Sequence, residues 1–452
     1  MALSSTSGSS VDGRPASTSF DASTPAERQP GAKPGRVAIL VLALLSSIAP
    51  FATDMYLAGF PRIAKDLGTG ATSVQLTLTT FMAGLALGQL VIGPLSDRWG
   101  RRHPLLIGAL VCVLASFLCT IAPNIGLLVA FRFVQGFSGA AGVVLGRAIV
   151  ADTVRGVAAA RIFSLLMIIG GLAPVIAPLL GGALLGPVGW RGVFGVLTGA
   201  ALLMLLGSFF ILKESLPAAR RHSGRASDTI HATRAVLSNR RYLGYTLAFV
   251  FAFGSMFAYI SASPFVLQTV FGLSTGWYSV AFAANALGLT GASLMSVRLV
   301  SLAGPRRLLC VGLGVLLVVN IVLCALAVTG SLTAVLTLVL LWLSVSSMGL
   351  IMGNAASLAV AQTPQSAGTG SAVLGSGQFA LAAVVSPLVG LGGSGTAVPM
   401  TVVMVASATI SVIALLLLTR GSSSLPATGA STAGGDTGTG TGTESSRDVV
   451  AA

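Results

Sequence analysis

Hydrophobic and polar positions in this chain are sorted into blocks rather than interleaved. Long apolar runs alternate with short polar breaks, and the runs approach the roughly 20 residues that a helix needs to cross a bilayer. Twelve of them stand at 37–60, 74–95, 104–122, 124–150, 162–186, 191–212, 242–264, 277–300, 306–328, 333–361, 368–391 and 397–419. The pattern predicts an all-α membrane protein. The first run is read as a spanning helix, because it exceeds the about 7–15 apolar residues of a cleaved signal and further spans follow it.

The polar breaks set the organisation. Only one internal break is long, 213–241, with Lys213, Arg220, Arg221, Arg225, Arg234, Arg240 and Arg241. It divides the runs six and six. Residues 1–35 are rich in Ser, Ala, Pro and Gly and 421–452 in Gly, Thr and Ser, so both read as disordered tails without a lipidation motif. The predicted units are a tail 1–35, a six-helix bundle 36–212, a linker 213–241, a second six-helix bundle 242–420 and a tail 421–452. The bundles echo each other. Gly100-Arg101-Arg102-His103-Pro104 enters the third run and Gly304-Pro305-Arg306-Arg307-Leu308 the ninth. Two six-span halves with a site between them are a recurrent transporter plan.

Composition agrees. The 452 residues are 54% hydrophobic and 8% charged, against roughly 25% charged in soluble domains. The net charge of +14 raises the question of nucleic acid, but placement answers it. With the N-terminus inside, 21 of the 26 Lys and Arg fall on the cytoplasmic side; Arg62, Lys65 and Arg191 fall outside, and Arg132 and Arg147 lie within runs. This is the positive-inside bias. It predicts a multi-pass protein with both termini in the cytoplasm, touching anionic lipid and not nucleic acid. Cys112, Cys119, Cys310 and Cys324 all lie within runs, which leaves no loop pair for a structural disulfide. They read as packing residues.

Asp54 stands apart. It lies within 37–60, while every other acidic residue lies in a tail, a loop or the mouth of a run, and none occurs between Asp228 and Asp436. A carboxylate at mid-bilayer costs about 2.5–3.5 kcal/mol on insertion scales, usually faces a partner or a water-filled cavity, and marks an ion or proton path. Arg132 is the second such residue. Its guanidinium cannot shed its proton, so it must be paired, hydrated or able to snorkel. Counted along their helices, the two depths agree to about 3 Å. They are expected to meet, directly or through water; a permanent structural ion pair is the competing reading. Gly84-x3-Gly88, Gly142-x3-Gly146, Gly195-x3-Gly199 and Gly349-x3-Gly353 predict close helix approach.

Tyr56, Gln89, Gln135, Tyr259, Asn285, Asn354 and Gln378, with apolar Met55, Phe257, Phe265, Phe282 and Phe379, suit a neutral, moderately polar compound. Each taken alone suits helix packing equally well. No phosphate-cradling Gly-x4-Gly-Lys-Ser/Thr loop is present, and His103, His222 and His231 all lie at or near inside loops. No Ser/His/Asp set shares a cavity. The reading is therefore no enzyme, no cofactor and no metal.

Gly93-Pro94-Leu95-Ser96-Asp97-Arg98-Trp99-Gly100-Arg101-Arg102 resembles the signature loop of the major facilitator superfamily, whose fold is two six-helix bundles with pseudo-two-fold symmetry. The resemblance implies a cytoplasmic latch of Asp97, Arg98, Arg101, Arg102 and Arg147, shared with Asp152 and facing the helix that starts near Gly368. Arg132-Phe133-Val134-Gln135-Gly136 resembles the family's fourth-span motif, tied to proton transfer. Gly170-Gly171-Leu172-Ala173-Pro174-Val175-Ile176-Ala177-Pro178-Leu179-Leu180-Gly181-Gly182 resembles the fifth-span motif of its exporters, with Ala177 where a Gly is usual. Thr53-Asp54-Met55-Tyr56-Leu57, Tyr259 to Gln268, Phe282 to Ala286, Met352 to Ala356 and Ala367 to Ala372 resemble the Bcr/CflA subfamily of drug–proton antiporters over residues 37–420.

The resemblance implies a monomer of the inner membrane that exports a small, neutral drug of amphenicol, bicyclomycin or sulfonamide type. Asp54 and Arg132 would couple it to protons, and the single membrane carboxylate predicts one proton per cycle. Met55, Tyr56, Gln135, Tyr259, Phe265, Phe282, Asn285, Asn354, Gln378 and Phe379 would contact the drug. A proton-coupled importer and a solute sensor that does not pump stay open beside it.

Overall fold

The computed structural model describes residues 35–154, 156–221 and 226–419. Both expected tails, apart from Gly35, lie outside the described residues, as do His222 and Arg225. The elements are α1 (Arg36–Asp54), a 3-10 turn (Leu57–Gly59), α2 (Phe60–Asp66), α3 (Ala71–Trp99), α4 (Arg102–Thr120), α5 (Ile125–Thr153) and α6 (Gly156–Ile211). After them come α7 (Ala226–Ser238), α8 (Arg240–Phe265), α9 (Thr275–Ala303), α10 (Pro305–Val328), α11 (Ala334–Val360), α12 (Ala367–Gly390) and α13 (Val398–Leu418). Eleven of the described helical stretches are long and apolar enough to cross a membrane.

One of the eleven contains two spans. In α6 the backbone leaves the helical region at Gly189 (φ 65°, ψ −178°), a left-handed φ open to glycine at no steric cost. Residues around it meet the far ends of α2 and α4. Arg62 donates to Leu185 O (2.8 Å), Trp190 Nε1 to Asp66 Oδ2 (3.0 Å) and Arg191 to Ala122 O (3.0 Å). Near the end of α6, Arg102 reaches Phe209 O at 3.0 Å, back beside the start of α4. The chain therefore crosses, turns at Gly189 and returns, and the expected pair 162–186 and 191–212 is one stretch folded at a single glycine. The break 213–221 and α7 lie on one face of the molecule, here the linker side; the other is the far side.

The two halves repeat one packing plan. α3 packs on α5, α4 on α5 and α1 on α6 in the first half; α9 on α11, α10 on α11 and α8 on α13 repeat these pairs in the second. Helices in lipid gain no hydrophobic driving force from each other and associate through close approach. The α3–α5 crossing illustrates it. Gly84 and Gly88 lie against the backbone of Phe133 and Phe137, and Gly136 lies against Phe81 O, leaving no room for a Cβ. This crossing sets Arg132 and Gln135 beside Thr77 and Phe81.

The halves meet through α3 on α12 and α6 on α9. Among the described residues, the hydrogen bonds joining the halves all lie toward the far side. Thr72 Oγ1 donates to Gly390 O (2.6 Å), Gln75 Nε2 to Ser261 O (3.2 Å), Ser386 Oγ to Gln75 O (3.2 Å) and Gln268 Nε2 to Ala58 O (3.1 Å). The far side is closed by uncharged groups.

Candidate functional site

The first span is broken where its one carboxylate sits. α1 ends at Asp54, Met55 N still donates to Phe51 O at 3.2 Å, and a 3-10 turn precedes α2. Pro61 at the start of α2 favours a fresh helix start. Gly181 of α6 lies directly against Met55 O, so the second Gly pair of the fifth-span motif packs on the break. Gly182 faces Ser279 Oγ of α9 in the other half, whereas nothing stands within 4 Å of a Cβ on Gly170 or Gly171.

Asp54 is 6% exposed and lines a cavity of about 210 Å³ between the halves. α1, α3 and α6 contribute Pro50, Thr53, Asp54, Met82, Leu85 and Pro174; the second half contributes Phe253, Phe257, Tyr259, Phe282, Asn285 and Phe379 among others. The second half is thus an aromatic wall. Tyr259 stacks on Phe282 (centroids 5.6 Å, 24°), Phe253 stacks on Phe257 (5.9 Å, 25°), and Phe379 meets Phe253 edge-on at 6.0 Å. Asn285 Nδ2 donates to Tyr259 Oη at 2.7 Å. Asp54 makes no ion pair or hydrogen bond with a described side chain. The walls supply no counter-charge, so a change in its ionisation must be matched by what enters, a proton or a ligand.

Arg132 does not meet Asp54 here. It is fully buried inside the first half, in a cage of rings. Its Cζ lies 4.1 Å from the Phe81 centroid, 4.4 Å from Tyr56 and 5.7 Å from Phe194. It donates to Gln135 Oε1 (2.5 Å) and Thr77 O (3.4 Å), and Gln135 Nε2 donates on to Ser116 Oγ (2.8 Å). Tyr56 Oη bonds Thr77 Oγ1 at 3.1 Å. Asp54 and Arg132 therefore touch different sides of one short segment: the carboxylate faces the cavity and the cation lies against the ring two residues on.

Of the expected drug contacts, Tyr259, Phe282, Asn285 and Phe379 line the cavity. Met55 and Tyr56 are core residues of the first half, and Gln135 serves Arg132. Phe265 packs against Phe60 (6.0 Å). Asn354 bonds Ser296 Oγ (2.8 Å) and Leu350 O (2.7 Å). Gln378 is half-buried beside Phe379 in sequence but does not line the cavity. Phe253 went unnoticed, although it stands one helical turn before Phe257.

On the linker side the expected turn Gly93–Arg102 is mostly helix: α3 runs through Trp99 and only Gly100 and Arg101 precede α4. Arg101 is the hub. It bonds Asp97 Oδ1 (2.5 Å), Asp152 Oδ2 (3.0 Å) and Ser96 Oγ (2.7 Å). Asp97 pairs with Arg101 rather than Arg147, which is exposed and makes no ion pair with either carboxylate. Arg98 is exposed. Glu214 was not foreseen. It accepts from Arg101 N (2.8 Å), Arg102 N (3.2 Å) and Leu216 N (3.0 Å) and lies 3.9 Å from Arg221. Burial pushes its carboxyl up, but the three backbone donors and Arg221 outweigh that and hold it below its ordinary 4.5. An acid next to Lys213, just after a span and at the head of a basic stretch, was the available signal.

A family model described as Major Facilitator Superfamily matches residues 42–387. "Uncharacterized MFS-type transporter YdgK" of Bacillus subtilis (strain 168) is 37% identical over 382 residues, 84% of this chain and 94% of that protein. A "Bicyclomycin resistance protein homolog" of Haemophilus influenzae is 33% identical over 84% of this chain and 96% of its own. "Multidrug resistance protein MdtL" of Klebsiella pneumoniae (strain 342) is 30% identical over 82% and 92%. Among solved structures, a bacterial homologue of the lysosomal transporter Spinster aligns with TM-score 0.66 at 17% identity, over 84% of this chain and 95% of that one. A D-xylose–proton symporter aligns at 0.64 and 14%, over 85% and 97%. The fold, the matched span and these relatives make the chain a transporter of the major facilitator superfamily.

Proposed function

We propose that the protein exports a small drug-like compound across the cytoplasmic membrane in exchange for protons, with Asp54 as the proton carrier. The observation that carries this reading is the Asp54 carboxyl, facing a cavity between the halves with no cation to balance it. The drug-resistance names of two relatives support the direction. The linker side is the cytoplasm, following the basic bias. With the far side closed, the described state faces inward and receives drug from the cytoplasm or the inner leaflet. Rocking outward then opens the far-side contacts and lets a proton reach Asp54. Neutralising the carboxyl loosens bound drug, and the return step releases the proton inside. One carboxyl in the cavity sets one proton per cycle. The driving force is the proton gradient plus the potential, the latter worth about 2.3 kcal/mol per charge per 100 mV.

Tyr259 and Asn285 give the aromatic wall a polar edge, suited to a neutral amphenicol, bicyclomycin or sulfonamide-like compound. A second reading has its own observation. Five rings facing one carboxylate also suit a lipophilic cation. The deciding experiment is a susceptibility panel in a pump-deleted host, run with everted vesicles. Proton-driven accumulation of a neutral antibiotic in the vesicles is expected. Accumulation of cationic dyes alone favours the second reading, proton-driven loss from the vesicles makes the protein an importer, and no movement of any solute leaves it a sensor.

A further inference from the structure

A second recess, larger than the central cavity, opens on the lipid-facing surface between α9 and α11. It measures about 550 Å³. Its lining includes the small Ala281 and Ala284 and the bulky Trp277, Val280 and Trp342; Trp277, Val280 and Trp342 are exposed. Asn285 is its polar lining residue and also lines the central cavity.

Three observations name the occupant. The lining carries no charge, and its one amide, Asn285, already gives an N–H to Tyr259 (2.7 Å), so a ligand here is held mainly by hydrocarbon contact. The recess runs from Trp277, near the far-side start of α9, to Asn285, about 12 Å along the helix at 1.5 Å per residue. One leaflet of hydrocarbon is about 15 Å deep, half of roughly 30 Å. The exposed Trp277 stands at the level where indoles gather at the membrane interface. We propose that this recess is a resident-lipid site that takes one acyl chain of a phospholipid from the far-side leaflet, backing onto the wall of the central cavity at Asn285.

The test uses the full chain in native membranes and a phospholipid carrying a photoreactive diazirine at mid-chain. Label is expected to concentrate on Ala281, Ala284 and Trp342. Val318 on α10, exposed to lipid at a similar distance from the far side, serves as the control. Equal labelling of the control overturns the proposal. Native mass spectrometry of gently extracted protein gives a second measurement: the wild type is expected to keep one phospholipid, and Ala284→Phe to lose it while still inserting. Retention by the filled variant overturns the site. Displacement of the photolabel by excess chloramphenicol also overturns it, because the recess would then be a side port of the central cavity.

Discussion

Arg132 is a cation buried without an anion, and its surroundings explain how that is tolerated. Three ring faces and two oxygen acceptors surround the guanidinium. A desolvated cation–π contact contributes about 2 kcal/mol, and the rigid planar fork stacks on rings while bonding its acceptors, a geometry that a point-like ammonium does not reproduce. Arg132→Lys is therefore expected to keep part of the drug resistance and Arg132→Leu to lose it, at matched membrane abundance. Wild-type resistance in Arg132→Leu would show the cation to be dispensable. The residue scale also shows a limit of sequence reasoning. Helical rise gives the height of Asp54 and Arg132, and both indeed border the segment 54–56. It gives no azimuth: which way Arg132 turns is decided by Tyr56 in the break after α1, Phe81 on α3 and Phe194 on α6.

At the scale of elements, small residues act only where a neighbour presses. A Cβ on Gly181 would run into Met55 O, so Gly181→Ala must push α6 from the break in the first span. Forced shifts of this kind cost about 1–3 kcal/mol. Gly170→Ala meets open space and gains about 0.5–1 kcal/mol of helix propensity. Gly181→Ala is expected to lower the melting temperature in detergent and abolish transport, and Gly170→Ala to be tolerated; the reverse order would contradict the packing described. Glu214 offers a pH test. Its folded value lies below the ordinary 4.5, so its stabilisation is complete above that value and fades as pH falls through the lower folded one. Glu214→Gln should cost about 1 kcal/mol at pH 7, like a lost helix cap. The gap to wild type should shrink below pH 4.5; a gap constant with pH would contradict the clamp. Apolar runs made the spans legible, but not their joints. Gly93-Pro94 reads as a break, yet α3 continues through Trp99 with Pro94 inside it, forgoing the one hydrogen bond that a proline nitrogen cannot donate.

For the whole molecule, the duplication was legible in the basic turns at Gly100 and Gly304, but the conformational state was not. It depends on bonds between residues as distant in sequence as Thr72 and Gly390. That contact gives a handle on alternation. A Cβ on Gly390 would press on Thr72 Cα at 3.0 Å, so side chains at the two positions adjoin, and a small backbone shift brings a cysteine pair to disulfide spacing. The pair Thr72→Cys and Gly390→Cys is expected to stop drug movement on oxidation and to recover with reductant. Full transport by the cross-linked protein would refute a far-side gate. The central claim remains the carboxyl facing the cavity. Its most direct measurement compares wild type and Asp54→Asn in everted vesicles. The variant should lose accumulation driven by a pH gradient yet keep exchange of labelled for unlabelled drug, because the cavity and its aromatic wall persist. Accumulation at the wild-type level in Asp54→Asn would contradict the account.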